Sequence, residues 1–231
     1  MSKREQNKSD KRGQIITAAR ELMRVRSSTG FSMRQLADAS GVSLATPYNL
    51  FGSKQGVISA VMDTDLDDFK GRLMGLDSDP LDRIFNLVSV SSQLFAEKPN
   101  YYKTGARAMH RETDKTLKSH FGLPRQALMK HLVQQAIQHE YISPRMNADS
   151  LSITLSMQFY SWIQLWANDQ ITLKELETRG HYTFAVTLAG AATASARERL
   201  LDQIIQLQGS LPESRGDSVD FSQYEHKRQS I

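Results

Sequence analysis

Residue types that could support catalysis or bind a metal are few in this sequence, and their spacing favours neither. None of the six histidines lies four residues from another, so no helix would offer two of them side by side as metal ligands. There is no cysteine, which excludes thiolate metal sites, disulfides and a cysteine nucleophile. The sequence also lacks a G-x-S-x-G elbow, a Walker A loop and an H-E-x-x-H motif. We therefore predict a protein that is not an enzyme and that needs no metal and no cofactor.

Two local clusters invite a chemical interpretation but have a simpler structural one. The glycines and lysine of residues 52–56 are too closely spaced to form a phosphate-binding loop. The carboxylates of Asp63, Asp65, Asp67 and Asp68 could hold a metal ion, but their spacing is also typical of the solvated face of a helix. We favour the solvated face.

Positive charge is concentrated at one end of the chain. Residues 1–60 contain ten Lys and Arg and four Asp and Glu, which gives +6, whereas the remainder carries −2 within a net charge of +4. This asymmetry favours a polyanionic partner, although solvated helix faces and a disordered basic start would give the same count. The first residues are polar, and no stretch approaches the roughly 20 apolar residues of a membrane span. We expect a soluble, cytoplasmic protein with no membrane partner.

Helical periodicity and helix-terminal residues indicate which elements position these groups. The chain is 39% hydrophobic, enough to bury a core, and its apolar residues recur at helical spacing nearly throughout. This pattern predicts an all-α protein of about nine helices. The first four are placed over about 9–25, from Ser32 or Met33 to Gly41, from Leu44 to about Phe51, and from Ser53 to near Gly75. The others begin at Asp79-Pro80, at about residue 100, near Pro124, at Asn147 and at the capping box Thr172–Glu175.

The short connection between helices two and three is the strongest indication of function. Only residues 40–43 join them, with Gly41 near the centre, which is the length and composition of the turn in a helix-turn-helix. Helix three is too short to be stable alone, so it must pack against the first and fourth helices. In such a pair the second helix can enter the major groove of DNA.

The segment from Arg12 to Val57 resembles the N-terminal domain of the tetracycline-repressor (TetR) family. The matching positions include Arg12, Ile15, Ile16, Ala18, Ala19, Leu22, Met23, Gly30, Phe31, Ser32, Leu36, Ala37, Gly41, Val42, Ser43, Thr46, Tyr48, Phe51 and Lys54. The resemblance implies a helix-turn-helix DNA-binding domain over residues 1–56 and a helical ligand-binding and dimerisation domain over 57–208. Residues 209–231 are rich in Ser, Pro, Gly and charge, and we predict a disordered tail there.

Nine residues are candidate DNA contacts. They are Ser32, Arg34, Ser43, Leu44, Ala45, Thr46, Tyr48, Asn49 and Lys54. Side chains in the first turn of helix two could reach a phosphate or a base edge, and the small or methyl-bearing side chains that begin helix three suit thymine methyl groups. By the resemblance, Tyr48 and Lys54 contact phosphates and Phe51 packs in the small core. Tyr48 could instead be a core aromatic.

Two residues depart from the family pattern in the recognition helix. Pro47 replaces the apolar residue usual before the tyrosine, and if Ser43 caps the helix it removes one early intrahelical hydrogen bond. Leu50 stands where the family often has a polar residue, which removes one phosphate contact. Both departures affect the set of DNA contacts rather than the fold.

Helix eight is apolar on nearly every side, which predicts that it is buried all round. We expect helices eight and nine to pair with their copies in a two-fold homodimer, as the resemblance also implies, although both could simply serve the core of one chain. The candidate interface residues are Leu155, Phe159, Trp162, Trp166, Tyr182, Val186 and Ala189. A dimer would place two recognition helices in successive major grooves, roughly 34–36 Å apart, on a palindromic operator.

The resemblance also implies a ligand cavity enclosed by helices four to eight. Its candidate apolar lining is Phe69, Leu73, Leu87, Tyr102, Met109, Leu128, Met157 and Tyr160, and its candidate polar contacts are Arg107, His110, His131 and Gln158. Each of these residues could equally be plain core. Methionine and aromatic side chains would suit a small, mostly apolar effector.

The sequence is best interpreted as a DNA-binding transcriptional regulator. The resemblance favours a repressor that binds double-stranded DNA at a palindromic operator as a homodimer and is released by a small-molecule effector. One alternative is an activator or dual regulator on the same fold. Another is a helical small-molecule-binding protein without DNA binding, which the basic charge of residues 1–60 disfavours.

Overall fold

The computed structural model describes residues 2–26, 30–111 and 115–211, and this part of the chain forms ten α-helices and no named strand. They are α1 (Lys3–Arg26), α2 (Met33–Ser40), α3 (Ala45–Phe51), α4 (Lys54–Met74), α5 (Pro80–Glu97), α6 (Pro99–Arg111), α7 (Lys115–Gln138), α8 (Ala148–Ala167), α9 (Leu173–Ala191) and α10 (Ala194–Gln208). The predicted all-α class is confirmed. Most of the predicted tail, residues 212–231, lies outside the described residues.

Helix boundaries follow the capping residues closely. The predicted caps at Asp79, Asn147 and Thr172 are confirmed, because each side chain accepts a hydrogen bond from the backbone N–H three residues ahead. Helix α1 begins at Lys3 rather than near residue 9. Its start is a capping box, in which the Glu5 N–H donates to Ser2 Oγ over 3.2 Å and the Ser2 N–H donates to the Glu5 carboxylate over 2.7 Å.

Two boundaries in the body differ from the prediction for other reasons. Helix α7 begins at Lys115, and Pro124 lies inside it, because the φ of proline is helical and one lost donor need not end a long helix. The predicted ninth helix is two helices, with α10 following α9. The chain leaves the helix at Ala192, which pairs with Ile142 in an isolated bridge, and Thr193 N–H donates to Tyr141 O over 3.0 Å.

Buried side chains form two clusters that α4 connects. The N-terminal cluster comprises Ile15, Ala19, Met23, Phe31, Met33, Leu36, Val57, Ile58, Val61, Met62 and Tyr101. The larger body cluster is built mainly from α5, α7, α8 and α9, and it includes Leu66 and Leu73 from the second half of α4. A division between two domains would therefore fall within α4, a few residues beyond the predicted boundary at 56/57.

The described residues contain no helix of the length and apolar character that crossing a membrane requires. Over the same residues, no three His, Asp or Glu side chains come together as they would around a metal ion.

Candidate nucleic-acid interface

Helix α2 is held at both ends by local hydrogen bonds, as predicted. Gln35 N–H donates to Ser32 Oγ over 3.1 Å, and Ser32 N–H donates to Gln35 Oε1 over 2.9 Å, which completes the capping box. At the other end Gly41 has a φ of +66°, the left-handed conformation that favours glycine, and its N–H donates to Ala37 O and Asp38 O. The chain therefore turns sharply between α2 and α3.

The start of α3 differs from the prediction by one residue. Leu44, not Ser43, occupies the N-cap position, and Ser43 Oγ lies 2.9 Å from Thr46 Oγ1 instead of capping the helix. Pro47 is consequently the third helical residue rather than the fourth. The first backbone N–H groups of a helix have no intrahelical partner, so Pro47 removes no helix hydrogen bond. The prediction that Pro47 removes one intrahelical hydrogen bond is therefore wrong. The Pro47 side chain is buried.

One face of α3 and its preceding turn is open to solvent. Leu44 is 42% exposed and Tyr48 is 48% exposed, and Ser43, Ala45 and Asn49 are exposed as well. The exposure of Tyr48 argues against a role as a core aromatic. These exposed side chains are accessible to a partner, whereas Pro47 on the same helix is buried.

The other four predicted contacts differ in their exposure. Ser32 and Arg34 are exposed in the first turn of α2, although the Ser32 hydroxyl already accepts the Gln35 N–H bond. Lys54 is partly buried at the start of α4, and its ammonium group lies 5.1 Å from the centre of the Phe31 ring. Thr46 is also partly buried.

Arg12 supports the C-terminal end of α3, a role that the sequence did not reveal. Its guanidinium donates to Leu50 O over 3.2 Å and lies 4.5 Å from the centre of the Phe51 ring. Phe51 packs against the N-terminal cluster, as predicted. The one signal in the sequence was a basic residue at the start of the segment that resembles the TetR family.

The corner between α3 and α4 depends on Gly56. A Cβ at this position would lie 2.1 Å from Phe51 O, a distance that no side chain could tolerate. The Gly56 N–H donates to Ser53 Oγ over 3.1 Å, which caps α4. This close approach fixes the angle between the recognition helix and α4.

A polar cluster joins the N-terminal region to the body, and it corrects the interpretation of Asp65 as part of a solvated face. Arg20 of α1 donates to Asp65 Oδ1 of α4 over 2.7 Å, and the hydroxyl of Tyr101 in α6 donates to Asp65 Oδ2. Burial and the neighbouring carboxylate raise the pKa of the Tyr101 hydroxyl well above its ordinary value. Burial also raises the pKa of Tyr102 to about 12, so both phenols stay protonated. Asp63, Asp67 and Asp68 are exposed.

Solved structures of TetR-family proteins share this fold. A TetR transcriptional regulator from Rhodococcus sp. RHA1 has a TM-score of 0.64 and 17% identity, with 80% of this chain and 97% of the other covered. A TetR transcription regulator from Haloarcula marismortui gives 0.63 and 17%, covering 80% and 100%. FadR of Thermus thermophilus, a TetR-family repressor solved with lauroyl-CoA, gives 0.62 and 17%, covering 79% and 95%. At such identities the likeness concerns the fold alone.

The N-terminal region also matches a known family by sequence. Residues 15–61 match the model of the bacterial regulatory proteins of the tetR family. The N-terminal region is therefore similar to that of the tetR-family regulators. The matched segment runs from Ile15 through the helix-turn-helix into α4, and it contains all nine predicted DNA contacts. No curated protein matches the chain.

The predicted ligand contacts in the body lie in several different environments. Leu73, Leu87 and Leu128 are buried in the body cluster, with Phe69 and Tyr102 packed against it, and Tyr160 is partly buried. Arg107 donates to Asp169 over 2.7 Å. The side chains of Met109 and His110 lie outside the described residues.

Three other predicted ligand contacts are exposed or are hydrogen-bonded to a neighbouring helix. His131 is exposed, Met157 is 59% exposed, and Gln158 exchanges hydrogen bonds of 2.8 and 3.1 Å with Thr187 of α9. A helix that is apolar on every side does not reveal which residues face inward, and for that reason the exposure of Met157 was not predicted.

The predicted dimer contacts divide between the interior and the surface. Leu155, Phe159 and Trp166 are buried within the chain, so their side chains are not accessible to a partner, and they are removed from the candidate interface. Val186 is 46% exposed, and Trp162, Tyr182 and Ala189 are partly exposed. Ile153, which was not among the predicted contacts, is 51% exposed one turn before Met157 on α8.

Proposed function

We propose that this TetR-type chain is a transcriptional regulator that binds a palindromic operator as a homodimer, and that it is a repressor released by a small, mostly apolar ligand. The observation that carries the proposal is the open face of α3, held by a capped α2 and by the Gly56 corner, within the basic part of the chain. A positively charged region that presents a short helix is suited to the major groove of DNA.

The contacts on the open face divide into two kinds. Leu44, Ala45 and Asn49 would approach base edges, with the methyl groups of Leu44 and Ala45 suited to thymine and the amide of Asn49 suited to adenine. The Tyr48 hydroxyl and the Lys54 ammonium group would bind phosphates and set the position of α3. Phosphate contacts contribute affinity and orientation, whereas base contacts select the sequence.

A homodimer through α8 and α9 is supported by the apolar side chains that both helices leave exposed. Ile153 and Met157 lie one turn apart on α8, and Val186 lies on α9. Together with the partly exposed Trp162, Tyr182 and Ala189, these exposed residues form the revised candidate interface. Pairing with a copy removes this apolar area from water.

The proposed effector site lies in the body. Its proposed lining residues are Phe69, Leu73, Leu87, Tyr102, Leu128 and Tyr160. These side chains are apolar or aromatic, and Met109 and His110 come from the end of α6, the helix that also reaches Arg20 and Asp65 through Tyr101. An apolar ligand there would act on DNA binding only if it preferred one arrangement of α6 over another.

The decisive experiment is selection of DNA duplexes from a random pool, followed by fluorescence anisotropy of the enriched duplex at several salt concentrations. We expect a palindrome bound with a Kd in the range of about 10⁻⁸ to 10⁻¹¹ M, weakening steeply as salt rises. Tyr48→Phe should weaken binding about tenfold if its hydroxyl binds a phosphate. Lys174→Ala, an exposed change on α9, is the matched control. No enrichment by a confirmed dimer would contradict the proposal.

A further inference from the structure

The first three turns of α1 form a basic helix with no apolar side chain. Between Lys3 and Gln14 every residue is polar or glycine, and Lys8, Lys11 and Arg12 are exposed. Residues 3–12 contain five basic and two acidic residues. A helix that is polar all round has nothing to bury against an apolar protein surface. Its charge instead suits an anionic partner.

The course of α1 brings this segment to the side of the recognition helix. Arg20 reaches Asp65 at the junction with the body, whereas Arg12, about two turns earlier, contacts Leu50 O and the Phe51 ring of α3. Following α1 from Arg20 to Arg12 therefore leads from the body to the recognition helix. Residues 3–11 continue in the same direction for about 14 Å at 1.5 Å per residue.

Two of the lysines lie on the inner face of α1. Ile15 and Ala19 are fully buried in the N-terminal cluster, and α1 packs there against α2 and α4. Lys11 precedes Ile15 by four residues and Lys8 precedes it by seven, so both share its face of the helix. Their ammonium groups are thus directed to the side of α1 on which the helix-turn-helix lies.

We propose that residues 3–12, the basic extension, are a second DNA-contacting element that binds phosphates beyond those reached by the recognition helix. The proposal rests on the proposed function, since it assumes that α3 engages a duplex. The ammonium groups of Lys8 and Lys11 are carried on flexible side chains. They can bind phosphate oxygens without requiring one fixed orientation. Because phosphates carry no sequence information, the extension adds affinity and leaves the operator sequence unchanged.

The test compares the full-length protein with its Lys8→Ala/Lys11→Ala variant on the selected operator in a long duplex. We expect the Kd of the variant to rise about tenfold or more. We also expect the slope of log affinity against log salt to become shallower by about one for each phosphate that the variant no longer binds. Hydroxyl-radical footprinting should show that the variant leaves some nucleotides unprotected while protection under the recognition helix remains.

Two further variants separate DNA binding by the extension from other effects. Arg145→Ala/Lys174→Ala removes the same charge from exposed positions on the body, and its Kd, salt slope and footprint should match those of the wild type. Lys8→Arg/Lys11→Arg should retain the wild-type affinity, because either side chain binds phosphate. Circular dichroism of each variant establishes that the helical content is unchanged.

The possible failures are distinguishable. A Lys8→Ala/Lys11→Ala variant with the wild-type Kd, salt slope and footprint would overturn the extension as a DNA element and leave the proposed function intact. An equal rise in Kd for the Arg145→Ala/Lys174→Ala variant would also overturn it, because total charge alone would then explain the effect. A wild-type protein that enriches no duplex would overturn the proposed function and the extension together.

Discussion

The N-terminal region and the body expose different kinds of side chain. Around the recognition helix the exposed groups are mostly polar or basic, with Leu44 the large apolar exception. On α8, α9 and α10 the exposed groups include Ile153, Met157, Val186 and Ile205, each between 46% and 66% exposed. Exposed apolar area favours lasting association, whereas exposed charge favours binding that salt can reverse. In the proposed function, burial of apolar area would therefore stabilise the dimer, and charge would contribute most to DNA binding.

The largest effect is expected where a charge is placed in the apolar surface of the body. Met157→Glu should alter the stability of a single chain little, because the side chain is 59% exposed there. Within a two-fold interface the same carboxylate would be buried next to its copy, which is strongly unfavourable. We expect light scattering to give the monomer mass and operator affinity to fall by about 100-fold or more.

Leu76→Glu is the matched control for this prediction. Leu76 is 40% exposed in the connection between α4 and α5, so a carboxylate there changes charge and apolar area similarly outside the proposed interface. This variant should remain a dimer with wild-type affinity. A dimeric Met157→Glu protein would place the contact between copies on another surface.

The next largest effect tests how rigidly the N-terminal region holds its recognition helix. Gly56→Ala would put a Cβ 2.1 Å from Phe51 O, so α3 and α4 must move apart, and we expect a loss of about 3 kcal/mol in the free energy of unfolding. Operator binding should fall with it. Gly71→Ala on the same helix has no atom within 4 Å of the new Cβ and should stabilise by roughly 0.5–1 kcal/mol. Urea unfolding of both variants checks the pair, and equal stabilities would refute the close approach.

A smaller effect is expected at the contact between the two regions. Tyr101→Phe removes the hydroxyl that donates to Asp65, while Arg20 still donates to that carboxylate, which should lower the free energy of unfolding by about 1–2 kcal/mol. Because Asp65 links α1, α4 and α6, the Kd for the operator should also rise, by roughly threefold to tenfold. Tyr102→Phe retains a ring beside it and serves as the control. If both variants bind and unfold alike, the hydroxyl of Tyr101 has no special part in joining the regions.

Local signals explain why the N-terminal region was more predictable than the body. The ends of α2 depend on Ser32, Gln35 and Gly41, which all lie within ten residues. The role of each was predicted from sequence spacing alone and is confirmed by the structure. The cap of α1 at Ser2 and Glu5 follows the same rule but was missed. The N-cap residue of α3 could not be predicted from the sequence, since whether Ser43 or Leu44 caps α3 depends on a side-chain contact with Thr46.

The body is determined by contacts between residues far apart in the chain. Which face of α8 is inward, and hence whether Leu155 or Met157 is exposed, follows from how α7 and α9 pack on it. The end of α9 is set by Ile142 and Tyr141, some 50 residues earlier, which pair with Ala192 and Thr193. No cap or periodicity near residue 192 could indicate that pairing.

The smallest effect concerns pH and separates the interior of the body from its surface. The His181 ring nitrogen Nε2 lies 3.1 Å from Ser89 Oγ and 3.2 Å from Phe85 O, and burial between α5 and α9 lowers its pKa below 6.5 although Glu177 opposes the shift. Below pH 6.5 the unfolded chain therefore binds a proton at this residue more readily than the folded chain does. The free energy of unfolding should fall as pH decreases from about 6.5, and this residue should contribute no pH dependence well above that value.

Urea unfolding at pH 7.5, 6.5 and 5.5 measures this dependence, and two glutamine variants assign it. His181→Gln keeps a polar side chain that cannot titrate, so its midpoint should change less between pH 6.5 and 5.5 than that of the wild type. His131→Gln alters an exposed histidine and should follow the wild type. His181 lies between α5 and α9 whereas His131 is exposed, so removing His181 should reduce the pH dependence and removing His131 should not. A His181→Gln protein with the full wild-type pH dependence would assign that coupling to other groups.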